Sequence, residues 1–106
     1  MFVALYEMVA KPGRETEFET AWAAVTEAIL RVRGSWGSRL HTTKSPRTYI
    51  AYAQWPSEDV FDRAPAESSF TKEESQAFVR MKDAAESIRL LHRLDVHFDL
   101  LKDIKR

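Results

Sequence analysis

Cysteine is absent from this chain of 106 residues, and no stretch approaches the run of about 20 apolar residues that a membrane-spanning helix needs. The first absence excludes disulfides, thiolate metal sites and a cysteine nucleophile. A net charge is also absent, since 16 basic side chains balance 16 acidic ones. A neutral chain lacks the positive field typical of proteins that bind nucleic acids or anionic membranes. We therefore expect no nucleic-acid partner and no membrane association.

The N-terminal residues do not resemble a signal peptide. They are apolar, but they include Glu7, no early basic residue and no cleavage pattern, so we expect a cytoplasmic protein. Apolar residues make up 44% of the chain and charged residues 30%, which is typical of a globular protein. A chain of this length has room for one core, so a single domain is predicted over 1–106.

Hydrophobic periodicity predicts an alternation of strands and helices. Strands are predicted over 2–10, 35–41 and 48–55, and a last strand from the alternation of Leu94, Val96, Phe98 and Leu100. Helices are predicted over 14–33 with Gly34 as the C-terminal cap, from the N-cap Ser57 to before Pro65, and over 72–87 behind a Thr71–Glu74 capping box.

This order is β-α-β-β-α-β, an α+β ferredoxin-like arrangement with a four-stranded antiparallel sheet. Strands one and three are central in that topology, and both are apolar on their two faces. Two helices cover only one face of such a sheet. Since a large apolar face is rarely left in water, we expect a homodimer formed through the other sheet face.

Three segments resemble a known family. They are the first strand running through Lys11-Pro12-Gly13 to Phe18, a strand ending in Trp55 before a helix with Phe61, and the step Ser69-Phe70 before the second long helix. In this order and spacing they resemble the antibiotic biosynthesis monooxygenase superfamily of dimeric α/β barrels. The resemblance implies a cofactor-independent monooxygenase that acts on a small aromatic or quinol-like substrate in an apolar pocket and needs no cofactor.

The haem-degrading branch of that superfamily is not expected. Glu7, Ala64 and Glu74 stand where the branch has a pocket asparagine, a tryptophan and the iron-ligating histidine. Glutamate is a poor substitute for an axial imidazole. Glu7 instead resembles the glutamate on the first strand of the quinol monooxygenases.

Glu7 and His41 are the candidate catalytic residues. A carboxylate in a central strand is costly to bury unless it is paired or neutralised, so Glu7 is interpreted as a pocket base. The alternatives are an ion pair with Arg39 or Arg89, or contact with solvent. His41 has the ionisation range of a proton shuttle, and the alternative is an ordinary edge histidine.

Aromatic side chains are the candidate substrate contacts, namely Trp22, Tyr52, Trp55 and Phe61. The alternative for the two tryptophans is a purely structural role in the core. The histidines do not suggest a metal site, because His92 and His97 are predicted on opposite faces of the last strand and His41 on another strand.

Two further functions remain open from the sequence. One is a non-catalytic domain that binds a small ligand or mediates assembly, with Trp22 and Trp55 filling the pocket. The other is a small-metabolite isomerase or lyase, which would need a cationic anchor such as Arg39 facing the cavity. A cavity too small for a single ring would exclude the enzyme.

Overall fold

The computed structural model describes residues 1–63 and 69–102. In this part of the chain the secondary-structure elements follow in the order β1 Phe2–Ala10, α1 Glu15–Val32, β2 Ser38–Thr42, β3 Thr48–Trp55, α2 Glu58–Asp62, α3 Lys72–Ala84 and β4 Ala85–Asp95. None of these helices combines the length and apolar character that crossing a bilayer requires. The predicted helix end before Pro65 lies outside the described residues.

The four strands form one antiparallel sheet in the order β2-β3-β1-β4. The predicted ferredoxin-like topology is therefore confirmed, with β1 and β3 central and β2 and β4 at the edges. In residues 1–63 and 69–102 the sheet does not close on itself, so a barrel would need a second copy.

Both long helices cover the same face of the sheet, which we call the helix face. The core there combines β1 and β3 side chains with buried residues of α1 and α3, namely Phe18, Ala21, Val25, Ala28, Ala77, Met81 and Ala84. Burying these apolar surfaces is the main stabilising contribution. The opposite surface of the sheet is the open face.

The predicted helix caps are confirmed. The Thr71 hydroxyl accepts a hydrogen bond from the Glu74 backbone N–H at 3.1 Å, and the Glu74 carboxylate accepts one from the Thr71 N–H at 2.8 Å. Ser57 caps α2 by accepting from the Val60 N–H. Gly34 follows α1 with a φ of +73°, a conformation that favours glycine.

The predicted position of the last strand was wrong. It begins at Ala85, where a helix was expected, and ends at Asp95, so His97 lies beyond it. Residues 85–95 carry good helix formers, but pairing with the free edge of β1 outweighs that preference. Two register shifts along β4 break its period-two alternation, which hid the strand in the sequence. Residues 94–100 had been predicted as a strand from their alternation, but the side chains of Leu94, Phe98 and Leu100 are exposed.

The start of β2 also differs from the prediction. Residues 35–37 precede the strand, although the Trp36 N–H donates to the Gln54 carbonyl oxygen and the Gly37 carbonyl oxygen accepts from the Gln54 N–H. Gly37 has a φ of +101°, which interrupts the extended backbone.

Candidate functional site

A cavity of about 570 Å³ lies between the helix face of the sheet and the helices. This volume is within the range of small-molecule sites, about 300–1,000 Å³. Its lining residues come from every helix and strand: Tyr6, Met8, Trp22, Val25, Thr26, Ile29, Arg33, Ser38, Ala51, Ala53, Trp55, Phe61, Phe78, Met81, Lys82, Ala85, Glu86, Ser87 and Ile88. There is room for at least one aromatic ring.

Small side chains on the sheet create this space. Ala51 and Ala53 alternate along β3 and point to the helix face, where they are 2% and 7% exposed. Larger residues from α1 stand opposite them, including Trp22 and Ile29. The short alanine side chains leave space between the sheet and α1 that larger residues at these positions would fill.

One end of the cavity is aromatic. Trp55 and Phe61 meet edge to face with ring centroids 5.3 Å apart, and Phe2 packs on Phe61 at 5.3 Å. The Arg33 guanidinium lies over the Trp55 ring, 5.6 Å from its centroid. We call this region, formed by Tyr6, Arg33, Trp55 and Phe61, the Trp55 end.

The polar groups of the Trp55 end are hydrogen-bond donors. Burial raises the pKa of the Tyr6 hydroxyl, while the charges of Arg33 and Arg93 act in the opposite direction. Tyr6 is therefore protonated at neutral pH and able to donate. Arg33 donates from Nη2 to the Phe61 carbonyl oxygen over a long 3.3 Å. Among the described residues, the buried Arg33 Nε and Trp55 Nε1 have no acceptor.

Glu7 lies on the open face, away from the cavity. It alternates with Tyr6 in β1 and is paired across the sheet with Ile50 and Arg89. Its carboxylate accepts a hydrogen bond from Arg89 Nη2 at 2.6 Å and is 28% exposed. The ion pair with Arg89, one of the alternatives that the sequence left open, is present.

His41 and Tyr52 also belong to the open face. His41 lies opposite Ile50 in the sheet, is exposed, and its Nδ1 is 3.0 Å from the Ile50 carbonyl oxygen. Tyr52 pairs with Leu5 and borders a second hollow of about 410 Å³ beneath residues 96–101. The structure therefore brings Trp22, Trp55 and Phe61 together at the cavity, and places Glu7, His41 and Tyr52 on the other side of the sheet.

Tyr6 and Arg33 are cavity residues that the sequence prediction did not select. Period-two alternation was the available signal for Tyr6, because it shares a face with Phe2, Ala4 and Met8. Arg33 gave no such signal, since an arginine in the last turn of a helix is explained by the helix dipole alone.

No metal cluster is evident in residues 1–63 and 69–102, where no three His, Cys, Asp or Glu side chains converge. Glu74, at the position compared with a haem ligand, is engaged instead by Arg31 and by the backbone of its own capping box. Ala64, the other helical position in that comparison, lies outside the described residues.

Comparison with known proteins gives a consistent result. The family model described as antibiotic biosynthesis monooxygenase matches residues 1–81. No curated protein matches the chain at the sequence level. A Bordetella bronchiseptica protein assigned to the antibiotic biosynthesis monooxygenases superposes with a TM-score of 0.72 at 18% identity, covering 92% of this chain and 97% of its own.

A second similar solved structure is that of an oxygenase. A mutant of SnoaB, a cofactor-independent oxygenase from Streptomyces nogalater, superposes with a TM-score of 0.72 at 18% identity, covering 95% of this chain and 97% of its own. At this identity the likeness establishes the shared fold.

Proposed function

Since the chain belongs to the antibiotic biosynthesis monooxygenase family, we propose that it is a cofactor-independent oxygenase acting on a small aromatic, quinol-like substrate. The observation that carries the proposal is the cavity of about 570 Å³ with Trp22, Trp55 and Phe61 in its walls. Aromatic walls suit a flat apolar ring, which stacks or packs edge to face against them. The activity named for SnoaB, which has the same fold, supports this choice.

The chemistry needs little from the protein. An electron-rich substrate anion supplies the electrons to oxygen itself. One oxygen atom enters the product, and the other leaves as water with two hydrogens of the substrate, so hydroquinone would give hydroxyquinone. The protein binds the ring, favours its ionised form and excludes bulk water.

Tyr6 is the group best positioned to contact the substrate oxygen in this proposal. Tyr6 lines the cavity, and its raised pKa keeps its hydroxyl a donor at neutral pH. Glu7 and His41, which the sequence suggested as base and proton shuttle, are separated from the cavity by the thickness of the sheet. We therefore assign the substrate contact to the helix face.

The proposal is tested by oxygen uptake with hydroquinones. Ala53→Leu fills the cavity floor and should lower the rate at least about tenfold, since small misplacements of a substrate cost large factors in rate. Ala23→Leu, on the exposed side of α1, makes the same change outside the cavity and should keep the wild-type rate. Circular dichroism establishes that each variant is folded.

Two results would count against an oxygenase. Wild-type protein that does not accelerate oxygen uptake above the uncatalysed reaction with any of the hydroquinones would refute it. A folded Ala53→Leu variant with the wild-type rate would mean that turnover takes place elsewhere.

A second candidate is an isomerase or lyase acting on a small acid. It is favoured by one observation, namely that a cation, Arg33, lines the cavity as the anchor that such chemistry needs. Conversion of a small acid without oxygen uptake would identify this activity. Binding of a ring with no turnover would instead favour a non-catalytic ligand-binding domain.

We also propose that the open face forms a homodimer. Leu5, Ile50 and Tyr52 make an apolar strip across its centre and are only half-buried in one chain. Beside the strip, Phe98 and Leu100 are 81% and 93% exposed. Apolar surface of this extent is typical of an interface. The Glu7–Arg89 pair would then lie within that interface.

A further inference from the structure

Arg33 is a half-buried cation in the lining of the cavity. Arg93, which also lies close to Tyr6, is neutralised by Glu58 at 2.9 Å and Asp62 at 2.6 Å. Among the described residues, no carboxylate lies within ion-pair distance of Arg33. A cation that is half-buried without a counter-ion loses hydration and gains little in return.

The contacts that Arg33 does make are weak. They are the 3.3 Å hydrogen bond to the Phe61 carbonyl oxygen and the approach to the face of Trp55. Its Nε is buried and has no acceptor in the part of the chain that the structure describes, and the same holds for Nε1 of Trp55. Both nitrogens are closed to solvent, so the donors that can reach a ligand in the cavity are the outer N–H groups of the Arg33 guanidinium.

We infer that the Trp55 end is an anion-binding subsite, in which Arg33 and Tyr6 hold the carboxylate or phenolate oxygen of an aromatic ligand. The inference rests on the proposed function, since it assumes that a ring occupies the cavity. A guanidinium provides a charged fork of donors, and the Tyr6 hydroxyl adds a further one. The ring itself packs against Trp55 and Phe61. A phenolate held in this way is the ionised form that reacts with oxygen.

The opposite end of the cavity carries charges of both signs. Glu86 lines that end and pairs with Arg47 at 3.6 Å, and Lys82 also lines the cavity. Lys82 is exposed whereas Arg33 is half-buried, so hydration weakens the attraction of Lys82 for a ligand anion more than that of Arg33.

Binding of simple probes tests the subsite in the full chain. Benzoate carries a carboxylate, and benzamide is its neutral counterpart of nearly the same shape. Wild-type protein should bind benzoate more tightly than benzamide. Arg33→Gln should weaken benzoate binding about ten- to hundredfold, the range for hydrogen bonds to charged groups, and leave benzamide binding unchanged. Isothermal titration calorimetry measures both.

A second probe separates phenolate from carboxylate. 4-Nitrophenol ionises near neutral pH, and its visible absorbance reports its charge. Its pKa should fall on binding to the wild type and return to the free value in Arg33→Gln. Tyr6→Phe should reduce the shift without abolishing it. A pKa shift with 4-nitrophenol but no preference for benzoate assigns the subsite to phenolates, and the reverse result assigns it to carboxylates.

The control variants distinguish the effect of the Arg33 charge on binding from an effect on folding. Arg33 caps α1 through its backbone N–H, so a side-chain change should preserve the helix end. Arg33→Lys keeps the charge and should retain part of the preference for benzoate. Arg80→Gln removes an exposed arginine of α3 outside the cavity and should change nothing.

The outcomes for the subsite and for the proposed function differ. Equal binding of benzoate and benzamide together with an unshifted 4-nitrophenol pKa, or Arg33→Gln with wild-type binding of both anions, would overturn the subsite while leaving a ring-binding cavity. A wild-type protein that binds none of these rings would overturn the proposed function and the subsite with it.

Discussion

Alkaline pH should destabilise this protein through Tyr49, whose side chain is 5% exposed beneath α1. Its hydroxyl donates a hydrogen bond to Glu19 Oε2 at 2.5 Å, and its ring packs on Phe18 with centroids 5.2 Å apart. Burial, this hydrogen bond and the charges of Glu19 and Glu15 raise the pKa of Tyr49 from 10.0 to about 12.

The sign of the effect follows from proton binding. The folded state holds the Tyr49 proton more tightly than the unfolded state. The contribution of this protonated hydroxyl to the free energy of unfolding is therefore fully present below pH 10.0 and is lost as the pH rises to about 12. Two pH units correspond to at most about 2.7 kcal/mol. Glu19 is exposed, so solvent screening reduces the expected loss to about 1–2 kcal/mol.

Urea unfolding of wild type and Tyr49→Phe across this pH range measures the loss. At neutral pH the variant should be less stable by about 1–2 kcal/mol, because the hydrogen bond to a charged acceptor is missing while the ring remains. The difference should shrink as the pH approaches 12. Glu19→Gln keeps an acceptor without its charge, and should lower the pKa of Tyr49 in an absorbance titration. A difference between wild type and Tyr49→Phe that stays constant from neutral pH to pH 12 would refute the reasoning.

Other predictions concern the core, a cap and the open face. Phe18→Ala, at a side chain with 0% exposure, should lower the free energy of unfolding by about 3–5 kcal/mol in urea, and a loss below 1 kcal/mol would contradict the assigned packing. Thr71→Ala should cost about 1 kcal/mol by removing the capping box, whereas Thr71→Ser should cost little. Ile50→Lys should convert the proposed dimer to a folded monomer in sedimentation experiments, and an unchanged dimer would exclude the open face as the interface. Gly34→Ala should cost about 1 kcal/mol or more because φ is +73° there, and thermal unfolding measures it.

The sequence predicted the fold well where local signals and topology agree. β1, β3 and the Thr71 capping box follow from alternation and capping chemistry, and the strand order follows from the β-α-β-β-α-β sequence of elements. β4 was misplaced because its pairing with β1 is a tertiary interaction. The register shift between Leu90 and His92 leaves Leu91 without a partner on β1, so the apolar residues of β4 do not follow a period of two.

The candidate site was only partly predictable. Aromatic residues at Trp22, Trp55 and Phe61 could be selected from the sequence because a ring-binding cavity requires them. The cavity volume could not be predicted, because it depends on how closely helices approach a floor of Ala51 and Ala53. Arg33 could not be distinguished from other arginines until its position in the cavity lining became visible in three dimensions.

Glu7 and Tyr6 show that adjacent residues of one strand can have different roles because their side chains point to opposite faces of the sheet. They are adjacent in β1, yet the pleat directs Tyr6 into the cavity and Glu7 to the open face, where Arg89 neutralises it. A carboxylate in a central strand therefore did not need a catalytic role to be tolerated, since a cross-strand arginine was sufficient. At the Trp55 end on the helix face the situation is the opposite, because among the described residues the cation Arg33 has no carboxylate partner and the neighbouring Tyr6 hydroxyl is a donor. The Trp55 end is consequently better suited to holding a substrate anion than to making one with a carboxylate base, and chemistry there depends on substrates that ionise easily.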